Sequence, residues 1–190
     1  MTESKTVWVV GLPLVALCVL LATAALGQSR EGKASLTTVA HVDLQRYVGR
    51  WFEIARYPNR FQKNCVADTM ADYSIRKDGK IEVLNSCKQS NQEVKTARGT
   101  ARVVDKRSNA KLKVTFFWPF FGNYWIIDLD PDYRYAVIGE PDRKYLWILS
   151  RTPSLDEQTY SAILGKIRAA GYEPERLMKT PQSGARINAD

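Results

Sequence analysis

Between Trp51 and Ser150 the chain writes eight strand patterns in succession and no helix pattern. The expected strands are Trp51–Tyr57, Ala67–Arg76, Lys80–Lys88, Val94–Val104, Lys111–Phe117, Tyr124–Leu129, Tyr135–Gly139 and Tyr145–Ser150. Turn chemistry separates nearly all of them: Lys77-Asp78-Gly79, Ser90-Asn91, Asp105 to Asn109, Gly122-Asn123, Asp130-Pro131-Asp132 and Pro141-Asp142. Such short connections join antiparallel neighbours, and a run of this length escapes exposed edges by closing on itself. One helix follows. Ser154 and Glu157 read as a capping box, Tyr160, Ile163, Leu164 and Ile167 share a face, and Gly171 ends it. The expected fold is all-β: an eight-stranded antiparallel up-and-down β-barrel with one C-terminal α-helix packed outside.

Connections in such a barrel alternate between its two ends. With Trp51 starting the first strand at the bottom, the turn holding Asp132 and Tyr133 and the exit from the last strand fall at the same end. Gly49, Trp51, Asp132, Tyr133 and Arg151 therefore converge on a floor, which a short helical turn over Val42–Val48 closes. Arg151 can lie on the Trp51 ring, where cation–π attraction and apolar contact both favour it. The opposite end takes Pro58–Asn64, Ser90-Asn91, Trp118–Gly122 and Pro141–Lys144.

A Gly-x-Trp at the first strand, an Asp-Tyr turn between the sixth and seventh, and an Arg after the eighth resemble the lipocalin family. The match runs from about His41 to Met178. Residues Tyr47–Arg56 (YVGRWFEIAR) and Tyr145–Pro153 (YLWILSRTP) are similar to bacterial lipocalins and their apolipoprotein D-type relatives in particular. The resemblance implies a barrel that binds a hydrophobic or amphiphilic small molecule, with a fatty acid or lysophospholipid as the expected ligand. It places Trp147 on the cavity wall and gives Tyr73 a matching position. Leu149 shares parity with Trp147. Phe116 or Phe117, and Trp125 or Tyr124, complete an aromatic lining. Bulges shift parity, so each pair stays open, with Phe116 and Trp125 the named candidates. Glu53 is an acidic residue of Trp51's parity, suited to a polar head group or to a nearby Arg. An aromatic in a barrel is at least as often packing as ligand contact.

The first residues read as a targeting segment. Val7 to Leu26 carries no charge, Lys5 and Arg30 flank it, and Ala25-Leu26-Gly27 supplies small residues for cleavage before Gln28. The expected organisation is a signal peptide over 1–27, a flexible leader over 28–40, the lipocalin domain over 41–180 and a flexible tail over 181–190. An uncleaved membrane anchor is the alternative for the first segment. Cys18 is a poor lipidation site, because Leu17 precedes it and it lies inside the apolar run. Export follows, to the periplasm or cell envelope or to the medium, without a lipid anchor. Cys65 and Cys87 remain, an even count in an oxidising compartment, so a disulfide is expected. Pairing Ile75 with Ile81 puts Cys87 opposite about Thr69. Either Cys65 folds back from the preceding loop, or a bulge absorbs the offset.

The formal charge is +8, yet Lys and Arg are scattered, with no basic helix or nucleic-acid motif. Anionic lipid surfaces are the more natural partner for an exported chain. Trp118, Phe120 and Phe121 on one connection must cover the cavity, touch a membrane or meet a partner. Arg60, Lys63, Arg143 and Lys144 would stand around them at a basic mouth. The only histidine, His41, precedes the first strand, so no catalytic triad, metal cluster or cofactor site is expected. Two rival readings remain. One is an isomerase-type enzyme with a free cavity cysteine, and the other is an envelope interaction protein whose barrel is filled.

Overall fold

The computed structural model describes residues 1, 2 and 35–183. Residues 3–27 of the expected signal peptide, 28–34 of the leader and 184–190 of the tail lie outside the described residues. A helical turn, α1 (Leu44–Tyr47), leads into eight antiparallel strands: β1 (Gly49–Arg56), β2 (Cys65–Ile75), β3 (Ile81–Gln89), β4 (Val94–Val103), β5 (Lys111–Phe117), β6 (Phe120–Leu129), β7 (Tyr135–Gly139) and β8 (Leu146–Ser150). Each pairs with the next, β8 pairs with β1, and β1 pairs with β2, so the barrel closes. Helix α2 (Glu157–Ala169), a 3-10 turn (Pro174–Arg176) and a two-residue strand, β9 (Met178–Lys179), follow.

Alternation along the strands builds two cores. Inside the barrel Trp51, Ile81, Val83, Ala101, Leu112, Ile126, Ile138 and Leu149 are buried together. Outside it Ile54, Val137, Leu146 and Ile148 meet Tyr160, Ile163 and Ile167 of α2. The strands that bury both faces, β7 and β8, are correspondingly apolar up to Ser150, the last residue of β8. The helix begins two residues later than Ser154 suggests. Asp156 is its cap, accepting from the Thr159 amide at 2.8 Å, while the Ser154 carbonyl takes the Thr152 hydroxyl. Gly171, at φ +81°, supplies the left-handed residue at its end.

Arg151 organises the floor. Its guanidinium lies 3.8 Å from the Trp51 ring centroid and donates to the carbonyls of Arg46, Tyr47, Val48 and Arg50 at 2.7–3.1 Å. Trp51 in turn donates its indole N–H to the Tyr47 carbonyl at 2.8 Å. In the sixth turn the working carboxylate is Asp130, not Asp132. Asp130 is buried and accepts from the amides of Asp132 and Arg134 and from the Arg134 guanidinium; Asp132 is exposed. Tyr133, at φ +61°, points its hydroxyl at the Asp43 amide at 2.8 Å, under the Arg46 guanidinium. Gly49, at φ +95°, sits so that an added Cβ would touch Arg151 at 3.4 Å.

Elsewhere the structure departs from expectation. Strand β6 begins at Phe120, and Gly122 and Asn123 pair with Val114 and Lys113 inside it. The reversal is a tight one at Trp118-Pro119, whose peptide bond is cis. Cys65 and Cys87 form the expected disulfide, with Cα atoms 5.5 Å apart. A bulge around Asp68, at φ +50°, absorbs the register offset. Order also runs past the expected domain limits. Leu36 is buried in the outer core and Val39 donates to the Ile126 carbonyl, so the last leader residues are part of the fold.

The C-terminal segment is structural as well. Strands β1 and β2 pair only from Gly49–Tyr73 to Phe52–Met70. Above that point β9 pairs with Ala55 and Arg56. Thr180 then donates to the Ile54 carbonyl, the Pro181 carbonyl accepts from Asp68, and Gln182 reaches the carbonyls of both Glu53 and Thr69. The segment fills the gap where the two strands part.

Two outcomes follow. Arg151→Met should lower stability by about 2–4 kcal/mol in urea unfolding, because four carbonyls lose a charged donor and the ring loses its cation. Arg151→Lys should recover less than half, since an ammonium cannot reproduce the fork. For Asp130, its bonds to Arg134 hold the carboxyl below the ordinary aspartate range, so its stabilisation is present above the unfolded pKa and is lost on acidification through the folded value. Asp130→Asn should cost about 1 kcal/mol at neutral pH, and its gap to the parent should close below about pH 4.

Candidate functional site

The barrel interior is filled below and open above. Three phenols roof the filled half. Tyr47 and Tyr124 hydroxyls lie 2.6 Å apart and Tyr124 and Tyr73 hydroxyls 3.2 Å apart, with the Tyr47 and Tyr73 rings stacked at 6.0 Å. Burial pushes Tyr47 and Tyr124 well up and raises Tyr73 to about 12. The three stay neutral across the physiological range and act as hydrogen-bond donors and acceptors. Three hydroxyls joined by two bonds keep one O–H in reserve.

Above them two inward positions, Ala97 and Phe116, are exposed. Ala97 pairs with Asn85, the same side as Gly99 opposite Val83, and Ala97 is solvent-exposed. The Phe116 ring lies over Gly99, where an added Cβ would come within 2.8 Å of it. Phe116 is nevertheless 45% exposed. Phe116 is therefore a wall residue of the open half, while Phe117 is outside, stacked on Phe120 at 6.3 Å. Asn85 keeps a buried amide oxygen with no partner among the described residues. Trp147 and Tyr73 are partly buried against the inner core.

The other named candidates divide. Trp125 faces outward, packed on the outer core with the Lys111 ammonium over its ring at 4.4 Å; Tyr124 takes the inward place, because β6 alternates from Ile126. Leu149 is inward but buried within the inner core, so it fills the barrel. Glu53 is inward and buried, and it pairs with Arg56 at 2.7 Å. Gln62 and Thr180 also donate to it. Its oxygens are committed to the protein, and no ligand head group is needed to explain it.

This Glu53–Arg56 pair anchors the rim. Arg56 also donates to the carbonyl of Cys65, and Gln62 bonds both Glu53 and the Trp147 indole N–H at 2.9 Å. The loop between β1 and β2 thus lies across one side of the mouth, with Phe61 against Tyr145 and Tyr145 against Trp147. The resemblance carried by Tyr145–Pro153, and not strand patterning, indicates Trp147. Neither gives a signal for Asn85 or Gln62, which only the closed barrel brings to the cavity.

At the neighbouring tip, Phe117, Trp118 and Phe120 are 71–77% exposed and Phe121 41%. They do not fold over the cavity. Arg143, expected among the basic residues of the rim, is buried and donates to the Ala170 carbonyl at 2.8 Å. The cationic neighbour of the tip is Arg102 of β4, whose guanidinium lies 5.1 Å from the Phe121 ring. Cys65 and Cys87 are joined, which leaves the cysteine-enzyme reading without its nucleophile. His41 is exposed and its Nδ1 lies 3.3 Å from the Arg107 carbonyl oxygen. Among the described residues no three potential ligands gather for a metal.

Comparison with known proteins agrees with this geometry. The Lipocalin-like domain family matches residues 42–182. Temperature-induced lipocalin-1 of Arabidopsis thaliana is 44% identical over 80% of this chain and 85% of its own. The outer membrane lipoprotein Blc of Escherichia coli K12 is 35% identical over 92% and 98%, and apolipoprotein D of Mus musculus 31% over 74% and 77%. Among solved structures, insecticyanin from the tobacco hornworm superposes with a TM-score of 0.64 at 24% identity, over 79% of this chain and 86% of that one. The chain belongs to the lipocalin family.

Proposed function

We propose that the protein is an exported carrier of an amphiphilic lipid, a fatty acid or lysophospholipid, acting at the cell envelope. The carrying observation is the two-zone interior: inward Ala97 and Phe116 stay exposed above a floor sealed by core residues and tyrosine hydroxyls. That arrangement favours an open cavity over a filled barrel. The names of relatives point the same way, since they include an apolipoprotein and outer membrane lipoproteins. Binding would come from burial of an acyl chain, worth roughly 0.8 kcal/mol per methylene before the costs of association. Phe116, Trp147 and Tyr73 would line the chain's path, and the spare tyrosine O–H and the Asn85 oxygen offer polar contacts. No residue here is assigned a catalytic role.

The exposed aromatic tip supports a companion reading, that the carrier meets a lipid surface. Indole and phenyl groups suit the boundary between headgroups and acyl chains.

Intrinsic fluorescence of delipidated protein lacking residues 1–27 tests the carrier reading. Saturable quenching at micromolar fatty acid or lysophospholipid is expected, with Kd falling two- to fourfold per added methylene until the depth is filled. Trp147→Ala should weaken it; a folded, ligand-free protein with no response would sink the reading. For the surface, Trp118→Ser with Phe120→Ser should reduce sedimentation with lipid vesicles at least tenfold without altering the fluorescence titration. Unchanged sedimentation would reject the tip as the contact.

A further inference from the structure

The outer wall of the barrel beside the aromatic tip holds a groove of about 290 Å³ that the carrier reading leaves unused. It is lined by Arg76, Lys80, Thr100, Arg102, Thr115 and Phe121. Their convergence follows from register. Thr100 pairs with Thr115, and Ala101 with both Ile81 and Val114, so Thr100, Arg102 and Thr115 have outward parity where inward residues alternate with them. The turn after β2 brings Arg76 and Lys80 to the same strip, and Phe121 enters from β6.

We infer that this groove holds the phosphate of an anionic bilayer lipid while the neighbouring aromatic tip enters the membrane. Three cations line a space of headgroup size. Arg102 is fixed over the Phe121 ring, so its fork is partly ordered before a ligand arrives. Thr115 has a buried hydroxyl oxygen without a partner among the described residues. The acidic group facing the cluster is Asp78, which pairs with Lys80 at 3.1 Å and with Arg76 at 3.4 Å. Glu82, opposite Thr100, is taken by Arg98. Three positive charges against one leave an excess of two, complementary to a phosphodiester. Phe121 ends the groove and begins the exposed aromatics, so one surface offers both apolar insertion and phosphate recognition. The protein would lie on its β4–β6 side against the bilayer instead of standing mouth-down on a ring of basic loops.

This rests on the reading of the aromatic tip as a membrane contact, and the experiment separates the two. The full chain lacking residues 1–27 is sedimented with vesicles of phosphatidylcholine alone and with phosphatidylglycerol added. Anionic vesicles should bind more tightly, and Lys80→Gln with Arg102→Gln should lower that affinity by about 30-fold, roughly fivefold per charge removed. Binding to neutral vesicles, thermal unfolding and the fluorescence titration should not change. Lys106→Gln with Arg107→Gln removes the same charge elsewhere and should have a much smaller effect. An equal loss in that control would reduce the groove to general surface charge and overturn the site. If the groove pair leaves anionic binding untouched, the site is also wrong, whereas loss in the groove pair with no loss in Trp118→Ser rejects the tip and retains the groove. Inorganic phosphate alone, added at constant ionic strength, distinguishes a free anion. A thermal shift with phosphate that Arg102→Gln abolishes, in a protein indifferent to phosphatidylglycerol, would overturn the lipid assignment.

Discussion

The barrel depends on a cation, Arg151, that has no carboxylate partner among the described residues. Arg151 ends the last barrel strand, yet it bonds the carbonyls that precede and open the first one. A strand end and the turn of α1 both leave carbonyls unpaired, and burying them without donors would cost far more than the pair is worth in water. One planar guanidinium satisfies four of them at once and covers the Trp51 ring with its face. Burial lowers the Arg151 pKa from its usual value, but an arginine remains charged under any physiological condition. A lysine or histidine there would be a weaker closure. Because the same contact joins both ends of the strand run, closing the floor and closing the barrel are one event.

Closure then sets what the interior can do. Near the floor the inward side chains are large and touch one another, so that half is core. Toward the mouth β4 carries Gly99 and Ala97 on its inward side, and the lost volume is what opens the cavity. Gly99 is required there for a second reason: a methyl group at that position would collide with the Thr115 carbonyl and the Phe116 ring. The ring can cover the wall only because β4 has no side chain beneath it. Small residues on one strand and aromatics on its neighbour are thus a single device.

Much of this was legible in the chain. Eight alternating segments with turn residues between them specify the barrel, and the alternation of its ends places Gly49, Trp51, Tyr133 and Arg151 together. The failures have local causes. Trp125 takes the outward place because side-chain direction inverts with a one-residue change of register, and the parity of β6 is broken next to it by a bulge between Ile126 and Asp128. Gly122-Asn123 has the composition of a turn, but the chain reverses at Trp118-Pro119, where proline supplies the bend and bulky aromatics mask it. Asp132 shares a turn with Asp130, and only the fold shows which carboxylate points inward. Asn85 and Gln62 are ordinary polar residues until closure brings them to the same cavity. A resemblance could not supply them either, because their roles arise from contacts between distant strands.

The C-terminal segment shows why the mouth can be asymmetric. A barrel whose first two strands part above Phe52 should expose a row of unpaired backbone groups on each. Residues 178–183 satisfy both rows, and the Gln182 amide reaches one carbonyl on either side. The same gap receives the buried Glu53–Arg56 pair, whose remaining bonds go to Thr180, Gln62 and the Cys65 carbonyl. Removing either charge would leave the other buried without its partner, which is why such pairs are costly to break even where they add little net stability. A polar seam on the β1–β2 side and an apolar, aromatic edge on the β5–β6 side give the mouth two unlike lips. In the proposed carrier, a lipid arriving from a membrane would meet the aromatic lip first, and Phe116 would lie on its path, away from the charged seam.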